Sequence, residues 1–600
     1  MRPNKIAVVG PGTVGIPVAA LLASSTGTDG SPPPRVVVLQ RPSVTSGWKV
    51  QAINAGRSPL GAAEPELDTL MASAVARGFL TATHDRDICA DADVIIVCVQ
   101  VDRTGLSPEH GPLLEALNDI VPALKARPSR SRPLLIIESA LAPSAMQTVV
   151  RPFFVQHGLV DGRDLLLANS PSRAMSGCLV ESFRKSDKVV AGLQAESPVL
   201  VASLYRRILD RGRPIVTNSL TAEVTSAVEN AFRDVRIAFA MEIAKYCERI
   251  DVDFRTLRDQ VNDVLEWSDN VAWNPSTVPS GAMLLPTVGV GGQALPRDGV
   301  LLWWRALEAN LPSRNSILLA ARGVNDASPA SVVRRARLDL GPLDGRRVSV
   351  LGAAYRPNSG GARNSPSLVL AGLLRDSGAD VLVHDPLVSR TDVNLNSPGL
   401  TGRYTHDLDA ALSHASLVFV ATGHRVYHNM TARLVHPSSG IEGVMDACSL
   451  FNAADFGGSE TRYSGIGFGR RAPNGQLVRS IVSMYRAVAR GVANELEVLI
   501  RFLDARYGDG AFNQVDASEV RRLSGTHWLG CRLERPGDIR GVQEYDGFVS
   551  GLAQLAVDAS PQGSRMRRVP AEHVPPGLWF GNEKAAIADR ETPWSLTPKQ

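Results

Sequence analysis

Residues 5–15 read Lys-Ile-Ala-Val-Val-Gly-Pro-Gly-Thr-Val-Gly, and this stretch decides the fold. Its first five residues predict a short buried strand, and Ile16 to Ala23 predict the helix that follows. Between them, Gly10, Gly12 and Gly15 have G-x-G-x-x-G spacing, in which the glycines permit a tight turn and let a pyrophosphate approach the helix N-terminus. Because the motif lies between a strand and a helix, it predicts a dinucleotide site on a parallel sheet.

The end of the second predicted strand bears on which dinucleotide binds. After Arg35–Leu39 the chain reads Gln40-Arg41, where an acidic residue would hold the ribose hydroxyls of NAD. Arg41 can meet the 2′-phosphate of NADP, or it can simply be solvated. The sequence therefore predicts NAD or NADP and leaves the choice open.

Apolar runs farther along the chain extend the α/β pattern. Residues 93–99 and 133–139 predict buried parallel strands, and a second α/β unit begins at Arg346. Residues 220–250 have helical spacing without proline, which predicts a long helix that Thr221 caps and that offers a dimer surface. A last helix is predicted from about 480 to about 506, and the remaining chain is rich in Gly, Pro and Arg.

Composition narrows the classes of function. A chain of 600 residues predicts three or four domains, and 64 basic against 60 acidic residues does not favour nucleic acid as a partner. The sequence has no apolar run of about eighteen residues and no signal-peptide pattern, and its six cysteines lack C-x-x-C spacing. We therefore expect a cytoplasmic, reduced protein that binds neither membrane nor metal. Only eight of the basic residues are lysine, so arginine in place of lysine is compositional here.

Four separated stretches resemble the UDP-glucose/GDP-mannose dehydrogenase superfamily, nearest its UDP-N-acetylmannosamine and UDP-N-acetylglucosamine dehydrogenase branch. They are residues 10–19, 221–238, 289–298 and 351–366. The third stretch, Gly-Val-Gly-Gly-Gln-Ala-Leu-Pro-Arg-Asp, is similar to the catalytic loop pattern G-[FV]-G-G-x-C-x-P-x-D. The order and spacing of the four stretches extend the resemblance over roughly residues 1–480, and the tail has no counterpart.

The resemblance implies an α/β fold with two Rossmann-like doubly wound domains joined by a long central helix in a helical dimerisation domain. The expected domains are an NAD(P)-binding Rossmann domain at 1–215, the central helical domain at 216–335, a UDP-binding Rossmann-like domain at 345–480 and a C-terminal extension at 481–600. The expected substrate is a nucleotide sugar, most simply a UDP-sugar, and the expected assembly is a homodimer.

The resemblance also assigns site residues. The cofactor-binding positions are Gly10, Gly12, Thr13, Val14, Gly15, Gln40, Arg41, Val99 and Ser139. The substrate-binding positions are Ser170, Ser172, Asn230, Arg233, Gly291, Gly292, Ala294, Tyr355, Arg356 and Arg363. The catalytic positions are Ser226, Asn230 and Asp298, of which Asp298 is the candidate base, acting directly or through water.

Three of these positions depart from the family pattern. Family members oxidise a primary alcohol twice, and a cysteine thiolate traps the aldehyde so that a thioester forms and is hydrolysed. Ala294 stands at the cysteine position, Ser226 at the position of a lysine that stabilises developing negative charge, and Ser172 at the position of a glutamate that activates water. Cys448 lies in another motif-like loop and is a weak candidate for a replacement thiol.

Three hypotheses follow from this pattern. In the first, the chain performs one two-electron oxidation, or the reverse reduction, of a sugar hydroxyl. In the second, it is a catalytically silent homologue that acts as a binding or partner subunit. In the third, it epimerises a sugar through a transient keto form with bound cofactor and no net redox change.

Overall fold

The computed structural model describes residues 3–27, 30–60, 64–127, 132–265, 282–311, 313, 316–396, 400, 402–526 and 533. The chain divides into two compact units. The first unit comprises residues 1–230, 297–311 and 496–532, and the second comprises residues 231–296, 312–495 and 533–600. Each unit contains one sheet of Rossmann type, so the predicted α/β class with two doubly wound domains and a long central helix is confirmed.

The strands of the first unit follow one another along its N-terminal part. They are β1 Lys5–Val9, β2 Arg35–Leu39, β3 Leu80–Thr83, β4 Val94–Val97, β5 Asp102–Thr104, β6 Ser107–Glu109, β7 Leu134–Ile137, β8 Leu166–Asn169, β9 Lys188–Gly192 and β10 Pro214–Asn218. Strands β5 and β6 form an antiparallel hairpin, and the other eight form a sheet in the order β10-β9-β8-β7-β4-β1-β2-β3. All neighbours in that sheet are parallel except β8 and β9.

Helices cover both faces of this sheet. They are α1 Gly15–Ser24, α2 Trp48–Asn54, α3 Pro65–Ala76, α4 Gly111–Lys125, α5 Arg151–Gln156, α6 Leu179–Lys185 and α7 Glu196–Tyr205. Along β1, Ile6 and Val8 join one apolar cluster, whereas Ala7 and Val9 join another. Both faces of the strand are therefore buried, which explains why its sequence is continuously apolar rather than alternating.

The second unit contains an all-parallel sheet. Its strands are β11 Arg347–Leu351, β12 Asp380–His384, β13 Tyr404–Thr405, β14 Leu417–Val420, β15 Gly443–Asp446 and β16 Arg462–Gly465. Their order is β13-β12-β11-β14-β15-β16, with the change of direction between β11 and β14. This is the doubly wound order in which ligands bind beyond the carboxyl ends of the strands at the point where the order reverses.

A buried carboxylate fixes that carboxyl edge. Asp385 follows β12 and accepts hydrogen bonds from the backbone N–H groups of Ala353 and Ala354, at 2.8 and 2.9 Å, and from Leu387 and from His424 Nε2. Burial opposes the charge, but the bond from His424 and the backbone N–H groups hold the pKa of Asp385 below its usual range. The carboxylate thus shapes the turn after β11 from inside the protein.

The remaining helices include two long ones. They are α8 Ser219–Ile250, α9 Phe254–Val264, α10 Leu295–Glu308, α11 Ile317–Asp326, α12 Ser328–Leu340, α13 Pro366–Asp376, α14 Leu408–His414, α15 Thr431–Leu434, α16 Gly475–Tyr507 and α17 Ala517–Ser524. Helix α8 confirms the long helix predicted at 220–250. The predicted cap at Thr221 is wrong, because the helix begins at Ser219 and the Thr221 N–H donates to Asn218 Oδ1 at 2.8 Å. Among the residues that the structure describes, no helix is long and apolar enough to cross a membrane.

A buried polar cluster ties together three elements of the first unit. Lys188 at the start of β9 donates to Glu138, which follows β7 and is completely buried. The hydroxyl of Tyr205, at the end of α7, donates to the other oxygen of Glu138 at 2.6 Å. Burial lowers the pKa of Lys188, although Glu138 opposes this effect. The paired carboxylate and ammonium satisfy one another in a place where either alone would be costly.

Ser144 has a backbone conformation that normally requires glycine. It is fully buried with φ of 75°, and its N–H donates to Glu223 Oε2 at 2.8 Å. Its hydroxyl accepts a hydrogen bond from Arg305 Nε at 3.0 Å. The surrounding bonds therefore hold a serine in the left-handed region, where a side chain costs about 1 kcal/mol.

We expect glycine to be more stabilising than alanine at this position. Both Ser144→Gly and Ser144→Ala remove the bond to Arg305, but only glycine relieves the strain, so Gly should exceed Ala in free energy of unfolding by about 1 kcal/mol. This order is the reverse of that at an unstrained position, where Ala exceeds Gly. Denaturant unfolding of the two variants measures the difference, and an alanine variant as stable as the glycine variant would contradict the strain.

Candidate functional site

The first glycine turn has the geometry that its motif predicts. Gly10 has φ of 98°, and a Cβ on Gly15 would lie 2.1 Å from the Gly10 carbonyl oxygen, so neither position tolerates a side chain without rearrangement. Beside Gly12 there is open space, since a Cβ there meets nothing within 4 Å. The turn therefore packs tightly on its protein side and is open at its middle glycine. Thr13 is exposed and Val14 half-buried directly before α1, where the N-terminus of the helix favours an anion.

Two further cofactor positions lie at the same edge of the sheet. Val99 follows β4, and its side chain would be 3.5 Å from a Cβ on Gly10. Ser139 follows β7, and its hydroxyl donates to the Val99 carbonyl oxygen. The structure thus brings Gly10, Val99 and Ser139 together at the carboxyl ends of β1, β4 and β7, where the strand order reverses.

Arg41 is engaged by acidic residues. Its Nη1 donates to Glu115 and its Nε to Asp119, both at 2.8 Å, and both carboxylates belong to α4. The hydrogen bonds that Arg41 donates to Glu115 and Asp119 raise the pKa of Arg41. Gln40 is buried and donates to Ser46 Oγ at 3.1 Å. A phosphate approaching this arginine would meet two carboxylates, so the arrangement opposes the NADP alternative.

Asn230, which is half-buried, and Asp298, which is buried, form a hydrogen-bonded pair. Asn230 Nδ2 donates to Asp298 Oδ2 at 2.6 Å, and Arg297 donates to Asp298 Oδ1 at the same distance. Arg297 also donates to the Val101 carbonyl oxygen, and the Arg297 and Asp298 side chains are each only 5% exposed. Burial raises the pKa of Asp298, and Arg297 and Asn230 oppose that rise. Arg297 of the same chain therefore supplies the positive charge that pairs with Asp298, the candidate base.

The serines at the predicted lysine and glutamate positions, and the candidate Ser170, make local hydrogen bonds. Ser226 is buried on α8, and its carbonyl oxygen accepts from Asn230 Nδ2 at 3.2 Å. Ser172 Oγ accepts from the Ala174 N–H at 3.3 Å. Ser170 is completely buried and its hydroxyl donates to the Val189 carbonyl oxygen, so this candidate is committed to the protein interior.

Arg173 next to Ser172 makes a buried ion pair. It donates to Glu229 at 2.5 Å, and both side chains are 6% exposed. Burial raises the pKa of Glu229 to about 7, and the charge of Arg173 opposes that rise. The carboxylate that remains in this part of the site is thus held by an arginine and is not available as a free base.

Tyr355 explains the glycines of the catalytic loop. A Cβ on Gly291 would lie 2.7 Å from Tyr355 Cβ, and a Cβ on Gly292 would lie 2.9 Å from the Tyr355 ring. The Gly292 N–H donates to the Arg363 carbonyl oxygen at 3.0 Å, and Asn364 Nδ2 donates to the Gly292 carbonyl oxygen at 2.9 Å. These contacts therefore fix the loop, as far as Gly292, against the turn after β11. Ala294 follows, half-buried, just before α10.

Arginines cluster beside α8 in the second unit. Arg233 interacts electrostatically with Arg236 and Arg356, and burial together with these two charges lowers the pKa of Arg233 to about 9. Its buried Nη1 has no hydrogen-bond partner within the part of the chain that the structure describes. A buried guanidinium surrounded by like charges is stabilised by an anion, so the cluster suits a phosphate group.

Three of the described thiols lie in surroundings that disfavour the thiolate. Burial raises the pKa of Cys448 well above its usual value, and Asp446, which the thiol contacts at 3.6 Å, raises it further. Burial likewise raises the pKa of Cys98, and it raises that of Cys89 to about 12. A reactive cysteine needs the opposite environment, one that favours the thiolate. Cys531 lies outside the described residues.

Within the described residues, no cluster of His, Cys, Asp and Glu could hold a metal ion.

Several residues that organise these sites were not predicted from the sequence. Arg297 had the clearest signal, because it stands directly before Asp298 in the loop 289–298 and arginine is the usual cation in this chain. Glu138 and Lys188 also gave a signal, since a charged residue inside or beside an apolar strand requires a buried partner. The pairing of Arg41 with α4 has no signal in the local sequence, because it joins residues about 75 positions apart.

Three family models match this chain in succession. The UDP-glucose/GDP-mannose dehydrogenase family NAD binding domain matches residues 4–209, its central domain residues 220–327 and its UDP binding domain residues 349–453. The chain therefore belongs to the UDP-glucose/GDP-mannose dehydrogenase family, whose members are NAD-dependent dehydrogenases of nucleotide sugars. Each match falls within one of the three predicted domains, whose bounds stay predictions.

Individual relatives are similar over nearly their whole length. The UDP-N-acetyl-D-mannosamine dehydrogenase of Pyrococcus horikoshii is 27% identical over 459 residues, which are 76% of this chain and 97% of that protein. The crystal structure of an NDP-N-acetyl-D-galactosaminuronic acid dehydrogenase from Methanosarcina mazei Go1 is 30% identical with a TM-score of 0.62, covering 78% of this chain and 96% of that one. The structure of the Pyrococcus horikoshii enzyme is 26% identical with a TM-score of 0.63, covering 78% and 99%.

We expect two buried glutamates of α8 to make stability depend on pH. Burial raises the pKa of Glu223 to about 8 and that of Glu229 to about 7, whereas an unfolded glutamate titrates near about 4.3. The folded state therefore binds more protons between these values, and the free energy of unfolding falls as the pH rises through that window.

Replacing one of these glutamates measures its contribution to the pH dependence of the free energy of unfolding. Glu229→Gln should flatten the fall between about pH 4.5 and 7, by up to about 1.4 kcal/mol per pH unit. The control is Glu115→Gln, which removes a carboxylate that is 63% exposed and should leave the slope unchanged. Denaturant unfolding at several pH values gives the slopes, and an equal slope in wild type and Glu229→Gln would refute the shift.

Proposed function

We propose that this chain is an NAD-dependent oxidoreductase that carries out a single two-electron oxidation, or the reverse reduction, of a hydroxyl group of a nucleotide sugar. The proposal rests on three features that occur together. The dinucleotide turn is intact, the Asn230–Asp298 hydrogen bond is present, and position 294 is alanine. A thiol is required only after the first hydride has left, when it traps the aldehyde for a second oxidation. The first half-reaction is therefore the chemistry that this residue set supports.

The described cofactor residues fit NAD better than NADP. The open space at Gly12 and the start of α1 suit a pyrophosphate, and the groups around Val99 and Ser139 lie at the same edge of the sheet. The carboxylates of Glu115 and Asp119 surround Arg41 at the position where a 2′-phosphate would lie. When bound, NAD supplies the hydride acceptor.

The substrate proposed for the second unit is a UDP-sugar. The buried Arg233, with Arg356 nearby, offers positive charge that a diphosphate would neutralise. Because its relatives include UDP-N-acetyl-D-mannosamine and NDP-N-acetyl-D-galactosaminuronic acid dehydrogenases, N-acetylated UDP-sugars are the first substrates to test.

Asp298 is the proposed proton acceptor for the hydroxyl. Its Oδ2 accepts from Asn230 and its Oδ1 from Arg297, so both oxygens are oriented and each retains a further lone pair. Arg297 is the cation beside this carboxylate now that the helix position 226 carries serine. Oriented groups of this kind need no reorganisation when charge develops, which is the main advantage of a preformed site.

The purified chain, incubated with NAD and a panel of UDP-, GDP- and dTDP-sugars, tests the proposal. Nicotinamide reduction is followed by absorbance and the products are weighed by mass spectrometry. A product about two mass units lighter than the substrate is expected, and a carboxylic acid product would refute the reading of Ala294. No turnover with any sugar, while NAD and nucleotide sugar still bind, would favour the silent partner subunit, and sugar C–H isotope exchange without net reduction would favour the epimerase.

We expect the thiol alone to be insufficient to restore the second oxidation. In Ala294→Cys the aldehyde can be trapped, but Ser172 still lacks the carboxylate that would activate water, so acid should form only slowly or not at all. The double variant A294C/S172E should yield measurable acid, and S172E alone is the matched control that should not. Acid formed equally by A294C and by the double variant would contradict the role of position 172.

We also expect the acidic pair on α4 to select NAD. Replacing both carboxylates in E115Q/D119N leaves Arg41 free, which should lower the KM for NADP by about tenfold, equivalent to about 1.4 kcal/mol, with little change in the KM for NAD. Adding Arg41→Ala to that variant should remove the gain. An NADP affinity that does not respond to the two carboxylates would contradict this explanation of cofactor choice.

A further inference from the structure

Helix α8 has no free face in this chain. Of its 32 residues, only Arg249 in the last turn is exposed, and the others are buried or half-buried. The helix is mostly apolar between Leu220 and Cys247, and its described side chains are covered by the same chain. A helix that offers a dimer surface would instead leave an apolar stripe open, so the homodimer expected from the sequence requires a surface that α8 does not present.

Helix α16 supplies part of this cover. Its Tyr485 ring packs edge-on against Phe239 of α8 at 5.2 Å between ring centroids, and its hydroxyl accepts from Arg236 Nε at 3.2 Å. The inward stripe of α16 is apolar and almost completely buried along its length. It comprises Leu477, Val478, Ile481, Val482, Met484, Tyr485, Val488, Ala489, Val492, Ala493, Leu496, Leu499, Ile500 and Leu503. This spacing of three and four residues is that of a helix packed on one face.

Helix α16 also contacts α11, which packs beside α8. Glu495 caps the N-terminus of α11, accepting from Ser316 Oγ at 2.5 Å and from the Ile317 N–H at 2.7 Å. A Cβ on Gly491 would lie 2.5 Å from Ile317 Cδ1, so glycine permits the close approach of the two helices. Asp234 of α8 pairs with Arg322 of α11 at 2.8 Å, with both side chains about 5% exposed. The three helices thus share buried polar contacts as well as apolar ones.

The chain beyond α16 makes hydrogen bonds within the first unit, to which it belongs. The Gln514 carbonyl oxygen accepts from Asn218 Nδ2 at 2.7 Å, beside the first turn of α8. Asp509 accepts from Gln147 Nε2 at 3.0 Å, and the Leu523 carbonyl oxygen accepts from Arg173 Nη2 at 3.1 Å. Arg173 also forms the buried ion pair with Glu229 of α8, so the segment contacts the arginine of that pair.

This covering segment lies outside the matched family models, which end at residue 453. Relatives that are covered over 96% or more of their own length leave about a quarter of this chain unmatched. We propose that residues 475–526 act as a built-in partner for α8 and α11, so that the protein is a monomer in solution and the segment occupies the surface that a second copy would need. The proposal does not depend on the activity of the chain.

The full-length chain tests the proposal directly by sedimentation velocity and native mass spectrometry. A single species of 64.2 kDa is expected across about a hundredfold range of concentration. A stable dimer of twice that mass would overturn the proposal. Hydrogen exchange on the same sample should show α16 protected as strongly as α8, and rapid exchange throughout α16 would equally overturn it.

A matched pair of substitutions on α16 shows whether the segment prevents association. Ile481→Asp places a charge at a completely buried position of the apolar stripe of α16, whereas Val498→Asp changes a side chain on the same helix that is 57% exposed. We expect I481D to expose apolar surface and self-associate at least tenfold more readily than wild type, and V498D to remain monomeric. A native, monomeric I481D with α16 unprotected would overturn the covering role.

Discussion

Burial of carboxyl groups along α8 is the constraint on which much of this structure depends. The helix carries carboxylates at positions 223, 229 and 234 that are almost completely excluded from solvent. A buried carboxylate is costly unless a cation or several donors surround it, and each of these three has found such partners in a different element. Glu223 accepts two backbone N–H groups before α5, Glu229 pairs with Arg173, and Asp234 pairs with Arg322. The positions of these elements beside α8 are therefore set by electrostatics as well as by apolar packing.

The same constraint applies at the candidate site. The resemblance predicts a lysine position at 226 and a glutamate position at 172, where this chain has serine. Asp298 does not depend on a cation from position 226, because Arg297 and Asn230 bind its two oxygens. Glu229 is paired with Arg173 without a further carboxylate at position 172. The buried groups at 298 and 229 therefore have partners with serine at both positions.

Local sequence patterns predicted the fold well because its elements are locally encoded. The strands Lys5–Val9 and Arg35–Leu39 were predicted to the residue, since continuous apolar runs between turns leave little choice. Helix α8 was predicted from residue 220 and begins one residue earlier, at Ser219. Its cap was wrongly placed at Thr221, because Thr221 and Asn218 are both good caps and only the end of β10 decides between them. The pairing of Arg41 with α4 and the covering of α8 by α16 join residues far apart in the chain. Such contacts depend on the tertiary structure and have no local signature, so the sequence could suggest the site residues but not their partners.

The proposed function has a thermodynamic consequence that follows from alanine at position 294. Transfer of one hydride between an alcohol and NAD is readily reversible, and hydrolysis of a thioester is the step that draws the double oxidation to the acid. Under the proposal, a chain with the dinucleotide turn, Asn230 and Asp298 but without a thiol at position 294 does not carry out that irreversible step. Under the proposed function the ratio of oxidised to reduced cofactor sets the direction, and oxidation and reduction are the same activity. The product would be a carbonyl compound that is not trapped on the protein, so a following reaction that consumes it would determine the net flux.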